Sequence, residues 1–273
     1  DRFERACVVQ LTTAPMLALR ERIEASLRSL APGAVHVIVP DHAARHEGID
    51  ACCDLDGEPD ALTFREHGLQ FSVDPPPAQK TGAYFDQRDN RRRAAALVPE
   101  GGSLLDLGCH AGGFAVAAAV TGARVVAVDQ STAALRMAEA NAAANAATNV
   151  VFVRDDMFGP LQDPALQGPF DVIVADPPKV TAGKRGLDAA RSGMRKLVAR
   201  LAPRLAEGGH LVLCSCSHHF GRGQLDATVA KVAPDRFARV AWWGADADHP
   251  VAPGHDEGEY LRVGVYRRRD LSH

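Results

Sequence analysis

Asp106, Asp129, Asp155 with Asp156, and Asp176 each close a short apolar run in a 273-residue chain, and Cys216 follows another. Acids at successive strand ends can share one ligand, because an open parallel sheet binds ligands beyond the carboxyl ends of its strands. The first run leads into Asp106-Leu107-Gly108-Cys109-His110-Ala111-Gly112-Gly113-Phe114. Its glycines permit a tight turn and let the backbone approach a ligand closely. A dinucleotide fold would prefer G-x-G-x-x-G, with a pyrophosphate on the helix N-terminus. This loop is D-x-G-x-x-x-G-G. Its leading carboxylate repels a pyrophosphate but pairs with a cationic amino group such as that of a methionine moiety. Asp129, followed by Gln130 and Ser131, is placed to accept from two ribose hydroxyls. Asp155 or Asp156 can accept from an adenine amino group while Met157 flanks the ring. Any one of these acids could serve only to cap a turn or a helix. Acids at three strand ends in register favour a ligand site.

The fourth run ends in Asp176-Pro177-Pro178-Lys179. Two prolines remove two backbone donors and stiffen the exit from the sheet, projecting Asp176 and the loop behind it. Enzymes acting on an exocyclic amine of a base usually carry an aromatic residue after the prolines to stack that base. Lys179 stands there instead, and suits a phosphate contact. The fifth run ends in Cys214-Ser215-Cys216-Ser217-His218-His219. Carbon C5 of cytosine is a poor nucleophile that becomes enamine-like once a thiolate adds at C6, which gives a cysteine here a chemical purpose. Cys214 lies deeper in the strand and is expected to be an inert buried thiol. Cys216 falls where the strand opens toward the ligand, and is the expected nucleophile.

These groups need a strand–helix alternation to hold them. Strands are expected at residues 103–107, 123–129, 150–153, 171–175, 210–214, 237–242 and 260–266. Helices are expected at 113–120, from Ser131 to about 146, and at 187–205. Such alternation gives a parallel sheet with helices on both faces. The preceding region is different: short strands at 6–11 and 35–39, an amphipathic helix at 16–30, and a hairpin at 62–73 turning near Glu66-His67-Gly68. Asp74-Pro75-Pro76-Pro77 breaks any regular element there. The expected organisation is a small α/β module at 1–76, a connector at 77–94 and a catalytic domain at 95–273.

Hydrophobic residues make up 46% and charged residues 24%, which supports a packed core. No apolar run is long enough to span a membrane. The six cysteines include no C-x-x-C pair and no zinc-finger spacing, so neither a disulfide framework nor a metal is expected, and a cytoplasmic location is. A net charge of −3 does not advertise a nucleic-acid partner. Two basic clusters adjoin the candidate site: Arg88, Arg91, Arg92 and Arg93, and Lys179, Lys184, Arg185, Arg191, Arg195 and Lys196. A solvated surface is the ordinary reading of such runs, and position beside the site is what raises a nucleic-acid reading for these.

The sequence resembles the RlmI-like large-subunit ribosomal RNA (cytosine-5) methyltransferases over essentially all its length. The resemblance runs from Asp1-Arg2-Phe3 through Glu66-His67-Gly68 to Gln79-Lys80-Thr81-Gly82-Ala83-Tyr84-Phe85-Asp86-Gln87-Arg88-Asp89-Asn90-Arg91, the most specific segment. It continues through Gly112-Gly113-Phe114, Val153-Arg154-Asp155-Asp156, Asp176-Pro177-Pro178-Lys179 and Ser215-Cys216-Ser217 to Ala247-Asp248-His249-Pro250. The resemblance implies a class I, Rossmann-like methyltransferase sheet with an antiparallel last strand, and S-adenosylmethionine as the cofactor. It implies that Lys80, Thr81, Tyr84, Phe85, Asp86 and Arg88 help form the cofactor site, beside Asp106, Gly108, Cys109, His110, Gly112, Gly113, Phe114, Asp129, Gln130, Ser131, Asp155, Asp156, Met157, Asp176 and Pro177. Pro178, Lys179 and Arg91 are expected on the side of the ribosomal RNA. Cys216 would attack C6, and Asp176 would hold cytosine N3 or its amino group.

The resemblance names no base for the C5 proton: related two-cysteine enzymes have a cysteine in the loop after the fourth strand, where this sequence has Pro and Lys. Cys109-His110 also stands where relatives often have Ser-Tyr. Members of the family usually begin with an RNA-binding PUA domain, and by the resemblance this sequence starts after that point. Two other readings stay open, a guanine-N7 ribosomal RNA methyltransferase and a cofactor-binding interaction module without turnover. A homodimer is also left open.

Overall fold

A computed structural model describes the chain apart from residues 31–32, 58–60, 76–80, 182, 256–257 and 270–273, and the side chain of residue 184. The chain divides into two compact units, Asp1–Tyr84 and Phe85–His273. That boundary falls inside the stretch expected to be a connector.

In the first unit, β1 (Ala6–Gln10) is followed by α1 (Ala14–Ala18), α2 (Arg20–Leu30), β2 (Ala34–Val39), α3 (Asp41–Glu47) and β3 (Cys52–Asp54). β2 pairs parallel with β1 and antiparallel with β3. Cys7, Leu11, Val35, Val37 and Val39 form the core against Leu17, Ile23 and Leu27 of the helices. The single helix expected at 16–30 is two helices, because the chain leaves helical geometry at Leu19 (φ −98°, ψ 8°). Arg20, the first residue past the break, bonds Glu24 at 2.6 Å and Asp54 of β3 at 2.5 Å. The hairpin of β4 (Leu62–Glu66) and β5 (Leu69–Val73) turns on His67 and Gly68, both at positive φ, as a tight hairpin turn requires.

The second unit opens with α4 (Arg88–Ala95) and then alternates: β6 (Ser103–Leu107), α5 (Gly113–Ala119), β7 (Arg124–Asp129), α6 (Thr132–Ala144), β8 (Val150–Arg154), β9 (Phe170–Ala175), α7 (Leu187–Leu201), β10 (Leu205–Ser215), α8 (Arg222–Val232), β11 (Phe237–Trp243) and β12 (Arg262–Arg268). One seven-stranded sheet results, in the order β11-β12-β10-β9-β6-β7-β8. All its pairings are parallel except those of β12, the last strand, which runs antiparallel to both neighbours. This is the expected class I methyltransferase architecture. β6 is buried at all five positions, because helices cover both faces of the sheet. Met194, Leu197 and Leu201 of α7 pack with Leu225 of α8 on Ile173 and Leu213 of the sheet. Each such side chain contributes about 1.5–3 kcal/mol by leaving water.

Three expected boundaries move for local reasons. The long helix stops at Leu201 rather than 205, because Pro203 sits in a 3-10 turn at Ala202–Arg204. β10 begins five residues early, with its register to β9 broken between Leu205 and His210, where Gly208 takes positive φ. The final strand is displaced two residues toward the C-terminus. Among the described residues no helix is long and apolar enough to cross a membrane.

Candidate functional site

Because their strands run parallel, Asp129, Asp106, Asp176 and Cys216 reach one edge of the sheet side by side, on or after β7, β6, β9 and β10. Gly108 (φ +81°) is where two of these ends meet. A Cβ placed there would fall 2.6 Å from the Asp176 carbonyl oxygen and 3.8 Å from the Met157 sulfur, so only glycine lets the β6 loop lie this close to β9. Gly112, also at positive φ, precedes α5 and lies against Ala138; a Cβ on it would sit 3.0 Å from that side chain. The alanine-rich composition of α6 thus serves a close approach, and buried Asn141 ties the loop down by donating to the Ala111 carbonyl at 2.9 Å.

Asp129 accepts from the backbone N–H of His110 (3.0 Å) on one oxygen and of Ser131 (2.9 Å) on the other. These bonds fix the carboxylate and leave each oxygen a further lone pair for a ligand hydroxyl. Ser131 caps α6 through Ala134 as expected, while Ser131 and Gln130 are themselves exposed. Asp155 accepts from Asp156 N (2.8 Å), and Asp156 from Phe158 N (2.9 Å). This self-capped turn sends Met157 inward, to 6% exposure. His110 holds a left-handed conformation (φ 48°), and burial lowers its pKa. Cys109 and Phe114 are buried, and burial pushes the Cys109 thiol well above its usual range.

Asp106 is wholly buried. One oxygen accepts from Ala115 N at 3.0 Å, and the other has no hydrogen-bond partner among the described residues. Burial pushes its carboxyl up to about 7, with Asp176 and Asp129 adding repulsion against the opposing effects of Ala115 N–H and Arg91. A buried carboxyl oxygen left without a donor fits a ligand that brings a cation.

The Lys80–Arg91 segment is divided between the two units. Lys80 lies outside the described residues. Thr81 is buried and donates to Asp1, and Tyr84 is half-buried; both belong to the first unit. In the second unit, Phe85–Gln87 forms a 3-10 turn in which Asp86 and Gln87 are buried. Asp86 accepts from the Tyr260 hydroxyl at 2.7 Å. Gln87, absent from the expected site, is 3% exposed and donates to Asp176 Oδ2 at 2.9 Å. Asn90 holds Gln87 in turn, donating at 2.7 Å to its side-chain oxygen and at 2.9 Å to the Gly244 carbonyl. The cue for Gln87 and Asn90 was adjacency alone, since amides carry no charge pattern. Arg88, expected at the cofactor, pairs with Asp246 and Asp248 and so anchors the loop after β11. Arg91, expected on the RNA side, is 8% exposed; a Cβ on Gly113 would lie 2.5 Å from its Nε, so it packs on the glycine loop. Arg92 and Arg93 both pair with Asp89. Arg88 and Arg91 of the first basic cluster are thus held within the protein, whereas Arg92 and Arg93 are exposed, as are Pro178, Lys179, Arg185 and Lys196 of the second region.

The two cysteines of β10 differ sharply. Cys214 is wholly buried, and burial raises its thiol well above the usual range. Cys216, two residues on and just past the strand, is half-buried. Its neighbours are pinned: Ser215 Oγ donates to the Phe220 carbonyl (2.9 Å), and Ser217 Oγ to the Thr181 carbonyl (2.9 Å) in the loop after Asp176. The Ser217 bond ties the β10 loop to the β9 loop beside the thiol, and the Ser215 bond closes the β10 loop on itself.

The family of S-adenosylmethionine-dependent methyltransferases matches residues 5–243. The chain is similar to ribosomal RNA large subunit methyltransferase I of Cronobacter sakazakii, at 36% identity over 96% of this chain and 69% of the relative. It is likewise similar to the protein of that name from Aeromonas hydrophila, at 37% identity over 98% of this chain and 70% of the relative. Among solved structures, a methyltransferase in complex with SAH shares the fold, with a TM-score of 0.81 at 19% identity over 97% of this chain and 70% of that one. The chain is an RlmI-like member of the S-adenosylmethionine-dependent methyltransferase family.

Proposed function

We propose that the protein methylates carbon C5 of a cytosine in large-subunit ribosomal RNA, in the cytoplasm, with Cys216 as the nucleophile. The relatives' names support the ribosomal substrate. The observation that carries the cytosine-C5 reading is the contrast within β10: one thiol sealed in the core, the next at the strand mouth one strand from Asp176.

Bound S-adenosylmethionine supplies an electrophilic methyl group on a sulfonium. Asp106 would take its amino group, Asp129 its ribose hydroxyls, and Asp155 or Asp156 with Met157 its adenine. Arg91 on the glycine loop suits the cofactor carboxylate better than a phosphate of the RNA. Asp176 would hold the cytosine edge while Cys216 adds to C6, and exposed Lys179 and Pro178 would meet the RNA backbone.

Asp106 gives a first test. Its folded pKa is raised above the unfolded value, so the carboxyl's contribution to stability is present below about 4 and lost as pH rises through about 7. Asp106→Asn should therefore gain thermal stability relative to wild type between pH 5 and pH 8. Its cofactor affinity at pH 8 should fall about 10- to 100-fold, the loss of one charge-assisted bond of about 1.5–3 kcal/mol. Calorimetric titration with S-adenosylmethionine reads the second effect, and unchanged affinity would remove Asp106 from the cofactor site.

The substrate is tested by mass mapping of ribosomal nucleosides from a deletion strain, before and after the purified enzyme acts on them. A single 5-methylcytidine should disappear and return. Loss of 7-methylguanosine instead would overturn the assignment.

A further inference from the structure

We propose that Tyr260 and Asp86 form a relay that carries the C5 proton away after methyl transfer, a role that rests on the cytosine-C5 reading above. Adduct formation leaves C5 bearing both a methyl group and a hydrogen, and the thiol cannot depart until that proton goes. The 3-10 turn Phe85–Gln87 spans the neighbouring strand ends on either side of Cys216. Gln87 bonds Asp176 at the end of β9, and Asp86 bonds Tyr260 just ahead of β12. In the sheet order β12-β10-β9, Cys216 at the end of β10 lies between them.

The strand register brings Tyr260 alongside. Cys214 pairs with Val263 and Ser215 with Arg262, so the next antiparallel steps carry Tyr260 beside the Cys216–Ser217 segment. The ring of exposed His218 lies 6.3 Å from that of Tyr260, on the same segment. Asp86 is 3% exposed, whereas the imidazole of His218 reaches solvent. The phenol is held above its usual range by burial first and then by Asp86, with Cys216 contributing, so it stands protonated at neutral pH with its hydrogen on Asp86.

A neutral phenol is a poor base alone, but it can accept at oxygen while releasing its own hydrogen to a carboxylate. The step balances. The C5–H bond breaks and its electron pair forms the C5–C6 double bond, expelling the Cys216 thiolate from C6. The proton arrives on the Tyr260 oxygen as the original phenolic proton passes to Asp86. 5-Methylcytosine leaves, and buried Asp86 gives its proton up by the reverse path through Tyr260, which stands beside the solvent-reaching His218.

The test uses Tyr260→Phe and Asp86→Asn with unmodified ribosomal RNA fragments and methyl-labelled S-adenosylmethionine. Both variants should add and methylate but fail to release. A covalent RNA–protein species carrying the label should accumulate on denaturing gels toward one per enzyme, while turnover falls about 100-fold. Adding Cys216→Ser should abolish that species. Wild-type enzyme on 5-fluorocytosine RNA is the control: if it forms no adduct, the cytosine-C5 reading itself fails. If wild type is trapped but Tyr260→Phe turns over normally, or loses activity without labelled adduct, the relay is wrong and the C5 reading survives. Loss of cofactor binding by Tyr260→Phe, which removes one oxygen, would equally overturn it by assigning the pair to the fold or the cofactor site.

Discussion

Cys216→Ser is expected to lose about 1,000-fold or more in methyl transfer while its affinity for S-adenosylmethionine stays within about twofold of wild type. The asymmetry follows from position. The thiol stands past the end of β10, held between serines that bond Phe220 and Thr181, and none of those bonds uses the cysteine sulfur. Serine keeps the shape but is a far weaker nucleophile toward C6, because its hydroxyl stays protonated where a thiol can ionise. Wild-type enzyme should form a denaturation-resistant complex with RNA containing 5-fluorocytosine, whose C5 fluorine cannot leave as a proton, and the serine variant should form none. Cys214→Ser serves as contrast: it should cost stability, since it puts a hydroxyl in a wholly buried site, and still trap RNA. Trapping retained by Cys216→Ser and lost by Cys214→Ser would reverse the assignment of the two thiols.

Much of the scaffold was legible because its signals are local. Short near-continuous apolar runs such as Val125–Val128, alternating with helical segments, suit strands of a parallel sheet, and an acid or cysteine ending each run marks the ligand edge. Ser131 announced its helix by chemistry alone. What the residues concealed were matters of partnership. Arg88 and Arg91 read as parts of one basic stripe, yet one is matched by acids more than 150 positions away in sequence and the other is pressed onto a glycine loop. Charge patterning cannot separate a solvated arginine from a paired or buried one. Gln87 and Asn90 were hidden for the opposite reason: amides have no periodicity or charge to betray them, and their value here is two-sided hydrogen bonding between elements distant in sequence. The departures at Leu19 and Leu205–His210 are backbone events, a helix break and a register shift, that hydropathy periods do not encode.

The chain of amides from Asn90 through Gln87 makes the charge state of Asp176 testable. Asp176→Asn should lower kcat by about 100- to 10,000-fold, the range for removing a group that manages charge on the reacting ring. Gln87 donates to Asp176 Oδ2, and under the proposed reading it positions Asp176 and leaves the other oxygen for the substrate without reaching the ring itself. Gln87→Ala should then cost about 10-fold in kcat with little change in cofactor affinity. Gln87→Glu separates positioning from mere packing, because it keeps the side chain's shape while placing a second carboxylate within hydrogen-bond distance of the first. Two such groups cannot both ionise readily, so one pKa of the pair rises. The acid limb of the kcat–pH profile should move upward by at least about one unit, with activity recovering toward alkaline pH as both groups ionise. A purely structural role for Gln87 would lower activity at every pH by the same factor. A profile for Gln87→Glu that is scaled down but unshifted would therefore detach Gln87 from the chemistry, and with it the claim that Asp176 works as a carboxylate whose charge state matters.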